Sequence, residues 1–432
     1  MKKAAIILET KSKEKLLSLL ARNTIWMSIG QGARLVVQAA YFTVIARSLG
    51  VKNYGAFVGV VALVGVLYPF GGLGRGSLLI KHVARDKSTF SEMWGAALSL
   101  TGVCGLLLIC FVMAVSHYAL PASIPARLVL LVAASDIIGL NIILVSAQAF
   151  QSFDNLKWTA SIYVMISASR LIGAVLLYSI HHSPSALQWG YVYFGSTVVV
   201  TILCCWLVSS KLGRPRWNLP RTPQELREGL YFSIGFCAQT IYNDIDKTML
   251  ARMSTLTATG IYGAAYRLVD VSFAPITALL YAAYPNFFRK GAGGITSSFA
   301  YAKPLLRKAV GYASLVCVAM LLCAGIVPYV LGPEYAQSVI ALRWLAPLPI
   351  FKAMHYFLSD TLTGAGFQGL RSALQSGVAV FNFLINLWLI PAYSWRGAAW
   401  ASIASDALLA GSVAIAVIVL SKRAAHGLAV KV

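Results

Sequence analysis

The stretch EMWGAALSLTGVCGLLLICFVMAV, Glu92 to Val115, carries no charged side chain after its first residue. About twenty apolar residues in a helix cross the hydrocarbon core of a bilayer, so this stretch is long enough to span one. Arg75, Lys81, Arg85 and Lys87 stand before it, and no basic residue follows until Arg127. Working outward, the chain holds twelve such runs: Thr24 to Ala46, Tyr54 to Gly74, Glu92 to Val115, Ala126 to Ala149, Trp158 to Ile180, Leu187 to Ser209, Leu230 to Ala251, Gly260 to Tyr284, Ala309 to Val330, Ala336 to Asp360, Ser372 to Pro391 and Gly397 to Leu420. Of the 36 Lys and Arg, 25 fall in every second connecting segment, 5 in the remaining segments, counting Arg127 at the very end of its run with them, and 6 deeper inside the runs. This alternation follows the positive-inside rule and predicts a multi-pass protein of the cytoplasmic (inner) membrane with both termini cytoplasmic.

Composition agrees. Mean hydropathy is +0.73, and only 12% of residues are charged, far from a soluble globular domain. The net charge of +22 is not a nucleic-acid signature, because the charges flank spans, where they set topology and meet anionic headgroups. The basic first 22 residues lack an apolar core followed by a cleavage site, so no cleavable signal peptide is expected. Leu16, Leu17, Leu19 and Leu20 behind those lysines suit a short helix on the inner surface. The seven cysteines all fall within spans without metal-ligand spacing and read as small apolar filler. His181-His182 in a short outer loop is not read as a metal site.

The chain divides into a basic segment (1–22), a first lobe of six spans (23–210), a cytoplasmic linker rich in Pro and Arg (211–229), a second lobe of six spans (230–421) and a tail (422–432). The two lobes echo each other. Ser28-Ile29-Gly30 recurs as Ser233-Ile234-Gly235, and an Ala-Arg pair follows each Ser at the same interval, at Ala46-Arg47 and Ala251-Arg252. Tyr54-Gly55-Ala56 matches Tyr262-Gly263-Ala264, each followed by a mid-span proline, Pro69 or Pro275. Ala149-Phe150-Gln151 matches Gly366-Phe367-Gln368. The common order argues for a duplication. Six spans per repeat keep the orientation, so the repeats are parallel, a plan in which substrate sites lie between repeats near the midplane. Gly72 to Gly76 reads as an inner hinge rather than a phosphate loop, since no strand precedes it.

Six basic residues lie inside spans, Arg34, Arg170, Lys247, Arg267, Arg343 and Lys352, with six acidic ones, Asp136, Asp244, Asp246, Asp270, Asp360 and Asp406. Each costs roughly 2.5–3.5 kcal/mol at the centre of a lipid-facing helix, so they should face a bundle interior or a wet cavity. The plain alternative is mutual pairing. Arg343 and Asp360 lie near span ends, where snorkelling accounts for them. Gln31, Arg34, Gln38 and Tyr41 make one polar stripe on the first span. On the seventh, Gln239, Asn243 and Lys247 make a ridge beside Thr240, Asp244 and Thr248, with Asp246 on the other flank. Asp244 and Lys247 are i,i+3 neighbours able to pair. Tyr262, Tyr266 and Asp270 align on the eighth. Lys352, His355 and Ser359 share a face below Pro347 and Pro349, which should bend the tenth. Asn382 with Asn386 and Ser402 with Asp406 are i,i+4 pairs. With Asp244 or Asp246 they could coordinate Na⁺ or relay H⁺, although interhelical hydrogen bonds of about 1 kcal/mol or less apiece are the plainer account.

Three segments together resemble the polysaccharide-transporter (Wzx-like oligosaccharide flippase) family of the MOP superfamily. They are Asn243-Asp244-Ile245-Asp246-Lys247-Thr248-Met249-Leu250, Gly260-Ile261-Tyr262-Gly263-Ala264-Ala265-Tyr266-Arg267-Leu268, and Ala46-Arg47-Ser48-Leu49-Gly50 with Asn53-Tyr54-Gly55. The similarity runs from about Ala21 to Leu420. It implies an all-α, twelve-helix protein whose two six-helix bundles form a V with a central cavity. It also implies transfer of undecaprenyl-pyrophosphate-linked oligosaccharide units to the outer leaflet. Arg34, Lys247 and Arg267 occupy spans where relatives carry cavity cations. Asp244 or Asp246, Asn382, Asn386 and Asp406 match a cation site of related lipid II flippases, with Asn386 standing where a carboxylate is expected.

The residues alone support the same expectation. Arg34, Arg170, Lys247, Arg267 and Lys352 would meet phosphate oxygens, and Gln31, Gln38, Asn243, Tyr262 and Tyr266 would meet sugars. Expected partners are the lipid-linked oligosaccharide, membrane lipids, a polysaccharide polymerase and a chain-length regulator, with no nucleic acid. No catalytic residue, metal or cofactor is expected beyond a coupling H⁺ or Na⁺, and no Walker motif is present. Two other readings stand beside this one. A MATE-like exporter of organic cations calls for an acidic cavity. A membrane-embedded polymerase or ligase calls for a large outer loop.

Overall fold

The computed structural model describes residues 2–83, 86–217 and 223–425, without the side chains of 1–29, 31, 221–229 and some neighbouring positions, among them Gln31 and Gln239. The side chains of Leu16, Leu17, Leu19 and Leu20, and those of most of the linker, therefore lie outside the description. All twelve apolar runs are helical apart from turns at 72–74 and 346–347. The helix α1 (Lys2–Gly71) holds the first two and breaks at Gly50, whose φ of 68° belongs to the left-handed region that glycine enters without a Cβ penalty. The third run is α3 (Phe90–Ala119), preceded by the short α2 (Arg75–Val83). The fourth is α4 (Ala126–Ala133), a π-helical segment (Ala134–Leu140) and α5 (Asn141–Ser152) in succession. Then come α6 (Leu156–Ile180) and α7 (Ala186–Lys211). The second lobe comprises α8 (Pro223–Met253), α9 (Leu256–Gly291), α10 (Ile295–Cys323), the short α11 (Val327–Leu331), α12 (Ala336–Leu345), α13 (Leu348–Gly364), α14 (Gln368–Tyr393) and α15 (Trp395–Ala425).

Among the described residues, eight helical stretches are long and apolar enough to cross a membrane, and Gly32–Ile80 covers both arms of α1. Outside that set, α9 carries Arg267 and Asp270, whose charges lower its hydropathy, and the tenth run is split into α12 (10 residues) and α13 (17 residues). The tenth run breaks between Leu345 and Leu348, at Pro347, as expected from a proline that cannot donate to the helix.

The chain forms two compact units. The first contains Met1–Val44, Leu67–Ala114 and Ala126–Ile234; the second contains Ile45–Val66, Val115–Pro125 and Gly235–Val432. In the first, Trp94, Ile143, Phe150, Val200 and Val208 build the core. Where α1 ends, Asn141 Nδ2 donates to the Tyr68 carbonyl (2.9 Å) and Ser233 Oγ to the Pro69 carbonyl (2.9 Å), which satisfies groups a helix end leaves open. The segment Gly72 to Gly74 forms a tight turn, with Leu73 and Gly74 at positive φ. In the second unit, Phe273, Ile276, Phe287 and Phe357 form one core cluster, and Leu362, Leu409, Val413 and Val417 another.

One expectation is corrected. Asp360 does not snorkel: it is buried, and Arg371 Nη1 donates to it at 3.1 Å. A neighbouring guanidinium replaces water, so the carboxylate need not reach the membrane surface. Arg343 is exposed.

Candidate functional site

In the second unit, α8 and α9 place most of the expected residues together. The i,i+3 spacing of Asp244 and Lys247 brings Lys247 Nζ to 2.7 Å from Asp244 Oδ1, and the same ammonium donates to the Asn243 carbonyl at 2.8 Å. Asp246 Oδ1 lies 3.6 Å away. One helical turn apart on α9, Tyr262 and Tyr266 pack ring against ring. The Tyr262 hydroxyl donates to Asp246 Oδ2 in a short hydrogen bond, and Ser402 Oγ donates to the same oxygen at 3.2 Å. Tyr266 is engaged on two sides. Lys247 Nζ sits 4.0 Å from its ring centroid, while Lys352 Nζ donates to its hydroxyl at 2.9 Å. Lys352 also lies 3.8 Å from Asp270. Two buried ammonium groups thus share one aromatic ring, with three carboxylates around them; a desolvated cation over a ring gains up to about 2 kcal/mol.

The helix α15 ties this cluster to its neighbours through a polar stripe at Ser402, Ser405 and Asp406. Ser402 meets Asp246 on α8 and Tyr262 on α9. Ser405 accepts from Asn382 Nδ2 on α14 at 3.0 Å. Asp406 Oδ1 lies 3.1 Å from His355 Nε2 on α13, both side chains fully enclosed. Asn386 Nδ2 donates back to Asn382 Oδ1 at 3.1 Å, and Asn386 Oδ1 is buried without a hydrogen-bond partner among the described residues. The expected ion-coupling residues are therefore linked through α15. The Asp406 oxygen holds an imidazole, and the Asn382 oxygen holds an amide.

In the first unit, the π-helical segment carries Asp136. Inserting a residue into the helical turn is a device often found at functional sites. Asp136 Oδ1 accepts from Tyr193 OH (2.8 Å) and Arg170 Nη2 (3.3 Å). The Arg170 guanidinium lies 4.1 Å from the Tyr193 ring centroid, and that of Arg34 lies 5.3 Å from the Tyr163 ring centroid. Gln38 is half-buried.

The expected residues thus divide between the units: Arg34, Arg170 and Gln38 in the first, and Asn243, Asp244, Asp246, Lys247, Tyr262, Tyr266, Arg267, Lys352, Asn382, Asn386 and Asp406 in the second. Arg267 is half-buried, three residues before Asp270, but the two do not pair. Sequence reasoning missed Tyr193, Tyr163 and the His355–Asp406 pair. A tyrosine facing a buried arginine leaves no periodic trace, whereas the Lys352-His355-Ser359 stripe did mark His355. Among the described residues, no three His, Cys, Asp or Glu side chains gather as a metal-binding group.

Comparison with known proteins fixes the class. The polysaccharide biosynthesis protein family matches residues 20–290, more than half of the sequence, and the chain belongs to that family. A relative from Escherichia coli (strain K12), named "Putative O-antigen transporter", is 21% identical over 90% of this chain and 94% of its own. The lipid II flippase MurJ, inward closed, superposes with a TM-score of 0.74 at 11% identity, over 94% of this chain and 91% of that one. An inward-facing multidrug resistance MATE family transporter of the MOP superfamily gives 0.72 at 14% identity, over 90% and 96%. A MOP superfamily transporter from Pyrococcus furiosus, whose binding pocket is described as of reverse polarity, gives 0.64 at 16% identity, over 92% and 96%. The fold is the all-α, twelve-helix membrane fold of these transporters.

Proposed function

We propose that this protein is a flippase for surface-polysaccharide assembly. It moves undecaprenyl-pyrophosphate-linked oligosaccharide units from the inner to the outer leaflet of the cytoplasmic membrane by alternating access, and it makes no covalent bond itself. The observation that carries this reading is membership of the polysaccharide biosynthesis family, in a chain with half-buried guanidinium groups at Arg34 and Arg267. Buried cations beside tyrosine and asparagine suit a headgroup that joins phosphate to sugar. Arg34, Arg170 and Arg267 supply guanidinium groups for the same task. A pyrophosphate carrying about two negative charges gains roughly 2.3 kcal/mol per charge per 100 mV when it moves outward from a negative interior. The potential therefore gives direction without ATP.

For the coupling ion we favour H⁺ on the His355–Asp406 pair, whose imidazole and carboxylate lie 3.1 Å apart. Both termini would be cytoplasmic, and a polymerase with its chain-length regulator would take the product at the outer face. The test is complementation of a flippase-deficient strain. Arg34→Ala and Arg267→Ala should each abolish surface polysaccharide while the protein remains inserted at wild-type level. Undiminished polysaccharide in both variants would remove these arginines from the path.

A further inference from the structure

Two segments of the first lobe, Ile45–Val66 and Val115–Pro125, belong to the compact unit built mainly from the second lobe. Both include a connecting segment that the charge pattern puts outside. The rest of the first lobe's helices pack among themselves. At that outer end the break at Gly50 is held by two consecutive residues from the turn before α12. Glu334 Oε2 accepts the Val51 N–H at 3.0 Å, capping the arm that follows the break. Tyr335, almost fully buried, donates its hydroxyl to the Ala46 carbonyl at 2.9 Å, in the last turn of the arm that precedes it. Gly332, at φ 114°, lets the chain turn so that both side chains reach the break.

Beyond this contact the arm 51–66 lies directly on α8 and α9. A Cβ on Gly55 would collide with the Leu256 carbonyl, and one on Gly260 with the Val51 carbonyl. At Gly59 it would come 2.8 Å from the Ala251 Cβ. Thr248 Oγ1 donates to the Gly59 carbonyl at 3.2 Å. Glycine surfaces that meet backbone to backbone exclude water when closed, yet they lack interlocking side chains and can part without repacking. Glu334, by contrast, is exposed at the rim, where water competes for its hydrogen bond.

We propose that Glu334 and Tyr335 are the latch of this outer seam, and that parting of the Gly55–Gly260 contact is the step that opens the path to the outer leaflet. The proposal rests on the flippase reading for its purpose, but not for its test. The reporter is Ala251→Cys, a buried position facing Gly59, labelled in intact cells by a membrane-impermeant maleimide, with the parent chain as blank. Adding Glu334→Ala should speed labelling about tenfold, the effect of losing one charge-assisted hydrogen bond. Tyr335→Phe should act in the same direction, and Glu334→Gln, which still accepts, should act less. In a second arm, a disulfide between Val58→Cys and Gly263→Cys, whose Cβ atoms would lie 3.6 Å apart, should arrest polysaccharide export, and reductant should restore it. Unchanged labelling in both Glu334→Ala and Tyr335→Phe overturns the latch. Export that continues through the cross-linked seam overturns its role in the cycle. If the wild-type chain supports no export at all, the flippase reading fails, while the labelling arm still decides whether the latch exists.

Discussion

Replacing Lys247 by Met tests whether the ammonium is there to neutralise Asp246. The methionine keeps the stem's volume, but it leaves a carboxylate with 3% side-chain exposure without its ion-pair partner. Breaking a buried pair in this way costs about 3–5 kcal/mol. Asp244 adds little, because it is 40% exposed and water can solvate it. Asp246→Asn should cost only about 1 kcal/mol, since the amide oxygen still accepts from Tyr262 and Ser402, and Lys247 keeps Asp244. The double variant removes both charges, so its cost should fall well short of the sum, with a coupling energy of about 2 kcal/mol. At roughly 2 °C per kcal/mol for a unit of this size, Lys247→Met should lower the melting temperature of the purified protein by about 6–10 °C. Asp246→Asn added to it should recover part of that loss. The assay is thermal unfolding in detergent, followed by monodispersity on gel filtration. A Lys247→Met protein as stable as wild type, or a double variant worse than the sum, would refute the pairing.

Two further outcomes follow from the same coordinates. Arg170→Lys keeps the charge beside Asp136 but loses the flat stacking on Tyr193 and the forked donor geometry. Export should therefore fall sharply while the melting temperature moves little, which complementation and thermal unfolding together would read. Gly260→Val should part the outer seam, because its side chain has no room beside the Val51 carbonyl, and so speed labelling of Ala251→Cys, whereas Gly195→Ala, where a Cβ meets nothing within 4 Å, should leave it unchanged.

The spans were legible because the bilayer imposes a length and an apolar composition on every crossing, and Lys and Arg mark its sides. The bend at Pro347 and the Asp244–Lys247 pair were legible for the same local reason, since both follow from spacing within one helix. Contacts between helices were not. Nothing in the sequence pairs His355 with Asp406 or Asp136 with Tyr193, because such partners are set by which faces meet after the bundle forms. Asp360 was misread for this reason: its partner, Arg371, stands on the next helix, and position near a span end gave no hint of it. The echo of Tyr54-Gly55-Ala56 in Tyr262-Gly263-Ala264 read only as evidence of duplication. In the structure Gly55 lies against the Leu256 carbonyl and Gly263 against Val58, so the repeat also marks where the first lobe's arm crosses α9.

The most direct measurement is transport by the purified protein. It would be reconstituted in vesicles holding a fluorescent oligosaccharide on polyprenyl pyrophosphate, with the leaflet position read by a membrane-impermeant quencher under an imposed potassium diffusion potential. Transfer should require the protein, accelerate with a negative interior and vanish in the Arg34→Ala/Arg267→Ala protein. Transfer at an equal rate with the two arginines removed, or no transfer of the lipid-linked sugar alongside expulsion of organic cations, would contradict the account.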